Sequence, residues 1–201
     1  MVTETGEMQK CFIDEQQLLE DSYRLAARIH ASGFRPDFIV GVWRGGAAVG
    51  IYVQECLQYF GIESDHIAVR TSYGGRDDYF RRLRTGESIQ AHGLGYLVDR
   101  LEAHHKLLIV DDVFSTGRHI DAIVERLRKR CRRNFAGDLR VAAAYYRPPA
   151  TGEGAAPDFF QRQSDDWLVL PYEIRGIDRD EMARQKPWLL PILDDLKPDW
   201  R

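Results

Sequence analysis

One piece of grammar occurs twice in the chain and constrains its fold more than any other feature. Phe38-Ile-Val-Gly-Val42 is a short apolar run of β character, Arg44-Gly45-Gly46 is a turn, and Val49, Tyr52, Val53, Cys56, Leu57 and Phe60 then recur at helical spacing. Downstream, Lys106-Leu-Leu-Ile-Val110 is a second apolar strand. Asp111 to Gly117 reads as a polar turn, and Ile120, Ile123, Val124 and Leu127 form the buried stripe of the next helix. Two strand-turn-helix units specify a parallel sheet with crossover helices. Ile67 to Thr71, Arg140 to Tyr146 and Trp167 to Leu170 supply three more strands, and Asp14 to Ser32 a leading helix that stops at Ser32-Gly33. The predicted fold class is α/β, a parallel and mostly five-stranded sheet with helices on both faces. It forms a single domain over residues 1–201, without internal repeat or linker.

Length and composition agree with one globular domain. The chain has 201 residues, 44% hydrophobic and 29% charged, enough to bury roughly 70% of the surface its unfolded form exposes. Cys11, Cys56 and Cys131 are odd in number, far apart and without a nearby Cys or His partner. That pattern argues for a reducing compartment, hence the cytoplasm, and against a structural zinc site. No apolar run approaches the roughly 20 residues a membrane helix needs, and MVTETGEMQK is too polar for a signal peptide. A net charge of -3 disfavours nucleic acid as the main partner. The basic run from Arg126 to Arg133 lies at a helix C-terminus, where cations complement the dipole, and reads as a solvated face. His104-His105 lacks metal-ligand spacing to any acid and reads as loop.

The chemistry concentrates in Leu108-Ile-Val-Asp-Asp-Val-Phe-Ser-Thr-Gly-Arg-His119. Adjacent carboxylates at the carboxyl end of a parallel strand stand where open α/β sheets bind ligands. Hydroxyls, a glycine and the N–H groups of a helix N-terminus follow at once, a combination that favours phosphate. A ribose 5-phosphate carries both kinds of group. Its hydroxyls would meet Asp111 and Asp112, and its phosphate the Ser115-Thr116-Gly117 turn. Residues 72–101 are polar and punctuated by glycines, and a loop of that length in a compact domain is a lid or binding loop unless it hides further elements.

The string at 108–119 resembles the phosphoribosyl-pyrophosphate signature of the type I phosphoribosyltransferases, most like the purine enzymes of the hypoxanthine and xanthine-guanine type. The resemblance extends over about residues 35 to 175. It implies that Val42-Trp43-Arg44-Gly45-Gly46 is the pyrophosphate loop, with a cis peptide between Trp43 and Arg44. It also implies a mobile lid over about 72–101 and a small hood built from the end regions. The substrate is then phosphoribosyl pyrophosphate, held by Trp43, Arg44, Gly45, Asp111, Asp112, Ser115, Thr116, Gly117, Arg118 and His119. Arg44, Asp111, Asp112 and Ser115 form the catalytic set. Arg147, Trp167 and Leu168 would bind the nucleobase, and Glu173 would reach Mg2+ through the magnesium-pyrophosphate group.

The reaction implied is magnesium-dependent transfer of ribose 5-phosphate to a nitrogenous base, a purine by preference, with release of pyrophosphate. A homo-oligomer is the expected assembly. Two residues depart from the pattern of those enzymes. Arg147 stands where those enzymes carry a lysine, which keeps the charge and changes its geometry. Ser115 stands where 6-oxopurine enzymes carry an aspartate that manages a base proton, and a hydroxyl is no carboxylate base. The second departure keeps a non-purine acceptor open. A regulator of the same fold, using its basic face for nucleic acid, is the remaining alternative.

Overall fold

The computed structural model describes residues 10–71, 91–149 and 154–196. In chain order these form β1 (Lys10–Phe12), α1 (Glu15–Ala31), β2 (Phe38–Trp43), α2 (Gly45–Tyr59), β3 (Asp65–Thr71), β4 (Ala91–His92), α3 (Gly95–Arg100), β5 (Lys106–Phe114) and α4 (Arg118–Cys131). There follow β6 (Asp138–Tyr146), β7 (Phe159–Gln163), β8 (Trp167–Val169), α5 (Arg179–Gln185) and α6 (Leu189–Asp195).

A strand covered on both faces needs apolar residues at every position, and the central strands have them. Phe38, Val40 and Val42 of β2 pack with Leu107 and Ile109 of β5 and Ala143 of β6 against α3 and α4. Their neighbours Ile39, Leu108, Val110, Ala142 and Ala144 pack against α1 and α2 on the opposite face. The main sheet runs β4-β3-β2-β5-β6-β7. Five strands are parallel, and only the two-residue β4 is antiparallel, against β3. The leading helix forms where the pattern predicts it. Asp14 caps it by accepting from the Gln17 N–H at 2.7 Å, and Ser32 ends it.

The fifth parallel strand is not Trp167 to Leu170. It is β7, which pairs with β6 from Ala142↔Phe159 to Tyr146↔Gln163. As an edge strand its Arg162 and Gln163 are exposed, so its sequence lacks the continuous apolar run of a central strand. Trp167–Val169 instead pairs in parallel with β1 in a separate two-stranded sheet, from Lys10↔Trp167 to Phe12↔Val169. The polar turn predicted from Asp111 also starts later, because Val113 and Phe114 continue the ladder opposite Tyr145 and Tyr146.

Of the segment expected as a lid, residues 72–90 lie outside the described residues. Residues 91–101 are built into the fold, with Ala91, Leu94, Leu97 and Leu101 each buried in the α3/α4 core. The end regions expected to form a hood meet each other. Besides the β1–β8 pairing, Lys10 Nζ lies 2.7 Å from Glu181 Oε2 on α5. Among the described residues no helix is long and apolar enough to cross a membrane.

Candidate active site

The site lies at the carboxyl ends of β2 and β5. These strands pair from Phe38↔Leu107 to Gly41↔Val110, so Trp43 and Asp112 each lie two residues beyond the last pair. Glycine closes the gap between the two strand ends. A Cβ on Gly46 would overlap the Val110 carbonyl and lie 2.8 Å from Asp111 Cα; one on Gly45 would overlap Asp112 Oδ2 and the Tyr172 hydroxyl. Only Gly-Gly allows the first turn of α2 to lie against β5 this closely. The Trp43–Arg44 peptide is cis. Both side chains are exposed, and Arg44 Cζ sits 5.7 Å from the centre of the Tyr172 ring.

The two acids occupy different surroundings. Asp111 is buried, with Oδ2 2.5 Å from Nε2 of His119 in the first turn of α4, and Oδ1 accepting the Asp112 N–H at 3.1 Å. Asp112 is half-buried. Its Oδ1 accepts the Val113 N–H at 2.8 Å and its Oδ2 accepts from the Tyr172 hydroxyl. Burial, and then the adjacent Asp111 carboxylate, push Asp112 up to about 7 against the pull of the Tyr172 and Val113 donors. Burial would lower His119, but the Asp111 carboxylate outweighs it and holds the imidazole above its ordinary range. His119, expected among the ligand-binding residues, is therefore turned inward and fixes Asp111.

Beyond Phe114 the turn changes direction at Gly117, whose φ of +70° and contact with the Phe114 ring exclude a side chain. Ser115 and Thr116 are half-buried on this turn, and exposed Arg118 opens α4. As at any helix N-terminus, the first-turn N–H groups of α4 project from the end of the helix. Cradle and acids are thus consecutive in one stretch of chain.

On the other side of β5, the Arg147 N–H donates to the Phe114 carbonyl at 2.8 Å. Its guanidinium stacks over Trp167, 4.6 Å from the ring centre, so the cation and the aromatic expected to meet a base do come together. Leu168 does not join them: its side chain is buried in the core and its backbone is level with Cys11. Glu173 is half-buried, and burial raises its carboxyl while Arg44 and Lys186 oppose the rise.

Sequence reasoning passed over two residues here. Tyr172 binds Asp112, and Lys186, just past α5, is only 5% exposed. Its ammonium donates to the carbonyls of Leu170 at 3.1 Å, Pro171 at 2.6 Å and Glu173 at 2.6 Å, tying down the turn that carries Tyr172 and Glu173. Burial lowers its pKa, and those carbonyls take up its three N–H donors. A lone lysine in a charged tail carries no signal of burial. The Asp178/Glu181 pair, which forms a capping box, is the local sequence signal for the helix that precedes Lys186.

Residues 12–172 match the family described as the phosphoribosyl transferase domain. The chain belongs to the phosphoribosyl transferase family. Solved structures agree at the level of the fold. A purine phosphoribosyltransferase from Pyrococcus horikoshii Ot3 is 20% identical with a TM-score of 0.63, covering 86% of this chain and 99% of its own. A hypothetical protein from Neisseria gonorrhoeae with bound ppGpp is 20% identical with a TM-score of 0.66, covering 90% and 98%. The xanthine-guanine-hypoxanthine phosphoribosyltransferase of Helicobacter pylori is 14% identical with a TM-score of 0.59, covering 84% and 95%. No curated protein sequence matches this phosphoribosyltransferase chain.

Proposed function

We propose that the protein transfers ribose 5-phosphate from phosphoribosyl pyrophosphate to a nitrogenous base, a purine by preference, in a magnesium-dependent reaction that releases pyrophosphate. One observation carries the reading. The Trp43–Gly46 turn, the Asp111–Asp112 pair and the N-terminus of α4 converge at the ends of two adjacent strands, held together by glycines that admit no side chain. Three kinds of ligand group, a pyrophosphate, two vicinal hydroxyls and a 5-phosphate, match those three parts. Among the solved relatives, the Neisseria structure binds ppGpp, which also joins a ribose to pyrophosphate groups.

In this scheme a base nitrogen forms a bond to C1 of the ribose as the bond from C1 to the pyrophosphate oxygen breaks, inverting the carbon. Asp111 and Asp112 accept from the sugar hydroxyls, and His119 keeps Asp111 in place. Ser115, Thr116 and the first turn of α4, from Arg118, take the 5-phosphate. Arg44, with backbone N–H groups of the glycine turn, meets negative charge as it develops on the departing pyrophosphate. Arg147 and Trp167 present a cation and a ring face to the base. The names of the Pyrococcus and Helicobacter relatives support a purine there.

Among the described residues no three His, Cys, Asp or Glu side chains are grouped to hold a metal ion. Magnesium is commonly bound through one or two carboxylates plus substrate phosphates and so needs no such group. Glu173, close enough to Arg44 to feel its charge, is the hard oxygen donor on the pyrophosphate side. When bound, the ion would neutralise charge on the leaving group. The free thiols of Cys11, Cys56 and Cys131 support a cytoplasmic setting. A homo-oligomeric state belongs to the same proposal and is read by light scattering.

The test is purified protein with Mg2+, phosphoribosyl pyrophosphate and a panel of bases, reading pyrophosphate release. Base-dependent release supports the reading, and none with any base refutes it. Turnover with non-purine acceptors alone would favour the second reading, which the hydroxyl of Ser115 supports.

A further inference from the structure

The Tyr172 hydroxyl stands at the meeting point of two parts assigned to one ligand. It donates to Asp112 Oδ2, and it lies so close to Gly45 that a Cβ there would overlap both partners of this hydrogen bond. The other carboxylate oxygen of Asp112 accepts the Val113 N–H. A ligand hydroxyl that reaches Asp112 from the glycine turn approaches the place this hydroxyl fills. The same ring lies under Arg44, so the cation assigned to pyrophosphate is engaged with it too.

Tyr172 is not a loose side chain that happens to rest there. Its ring packs against the α1/α2 core, and Lys186 pins the carbonyls of Leu170, Pro171 and Glu173 around it. The hydroxyl is held in position by an element outside the strand-turn-helix units that build the site.

Resting on the transferase reading above, we propose that Tyr172 is an affinity-determining residue whose hydroxyl stands in for a sugar hydroxyl on Asp112 in the free protein. Ribosyl ligands bind by exchanging that internal donor for one of their own. Part of each ligand hydrogen bond is therefore offset by the one it replaces, and the site holds ribosyl phosphates less tightly than its acids would otherwise allow. The exchange concerns a hydroxyl on Asp112, so a ligand with phosphates and no sugar does not take part in it.

Calorimetric titration of wild type and Tyr172→Phe with magnesium phosphoribosyl pyrophosphate, ribose 5-phosphate and inorganic pyrophosphate tests this. Removing the competing hydroxyl should tighten the two ribosyl ligands by about 10- to 100-fold, the scale of one charge-assisted hydrogen bond to the Asp112 carboxylate. Pyrophosphate should stay within about twofold, and the gain should vanish when Tyr172→Phe is placed in an Asp112→Asn background. Unchanged or weaker ribosyl binding in Tyr172→Phe would overturn the proposal. So would equal tightening of pyrophosphate, or a gain that persists without the Asp112 carboxylate. A wild-type protein that binds neither ribosyl ligand would overturn the transferase reading itself, and this inference with it. Melting curves of each variant confirm that folded protein is compared.

Discussion

Asp112→Asn should make the free protein more stable at neutral pH while weakening its hold on phosphoribosyl pyrophosphate. In the folded chain burial and the Asp111 carboxylate push Asp112 up to about 7, whereas an unfolded aspartate titrates near 3.9. Between those values the folded state binds the extra proton, so stability falls as pH rises from about 4 to about 7 and is level beyond. A shift of about three units is worth at most about 4 kcal/mol. Because Asp112 is half-buried and solvent screens part of the field, about 2 kcal/mol is the working figure. Asparagine keeps an acceptor for Val113 and removes the charge, and with it this limb of the profile. Urea unfolding of both proteins from pH 4.5 to 8.5 should give a stability difference that grows by about 2 kcal/mol toward high pH and then flattens. Any constant offset from altered hydrogen bonds with Tyr172 and Val113 leaves that growth intact. Parallel profiles over the whole range would refute the reasoning. Calorimetry on the same variant should show binding weakened by about 10- to 100-fold, the scale of one charge-assisted hydrogen bond.

Arg44→Ala should lower kcat by roughly 10² to 10³ and the affinity for phosphoribosyl pyrophosphate by less, as for a donor that acts where charge develops; steady-state kinetics with a loss confined to KM would make it a uniform binding group. Lys186→Met should cost about 2 kcal/mol in urea unfolding, because three carbonyls lose their buried donor, and Lys186→Arg should recover part of it; a variant as stable as wild type would contradict the contacts. Ser115→Asp should raise kcat with hypoxanthine or guanine and also raise KM for phosphoribosyl pyrophosphate, since the new carboxylate both handles a proton and repels phosphate. A fall in kcat would place proton handling elsewhere.

Periodicity made the central strands and their helices legible, because a strand buried on both faces and a helix buried on one leave unmistakable patterns in the sequence. The acids, the glycine turn and the α4 cradle were legible for a related reason: each is a run of consecutive residues, and the strand before it is central. What escaped has the opposite character. The edge strand β7 is half-exposed, and the three-residue β1 has too little pattern to register. The Tyr172–Asp112 bond joins residues 60 apart, and the Lys186 cluster gathers backbone carbonyls, whose hydrogen bonding leaves no mark on residue type. The placement of Trp167 to Leu170 went astray because an apolar tetrapeptide states that a strand exists and is silent about its partner.

The pairing of β1 with β8 also has a consequence for how the molecule is made. Lys10–Phe12 meets its partner only when Trp167–Val169 exists, roughly 155 residues later, an interval on the order of 10 to 30 seconds at ordinary rates of synthesis. Until then the nascent chain can dock α1 and α2 on the growing sheet, but the segment before Asp14 waits unpaired. The turn bearing Tyr172 and Glu173 follows within four residues of that closure, so the last parts of the site arrive together with the strand that joins the two ends. A chain that ends just short of Trp167 therefore carries the glycine turn and both acids but lacks both the strand that joins the two ends and the tyrosine that meets Asp112.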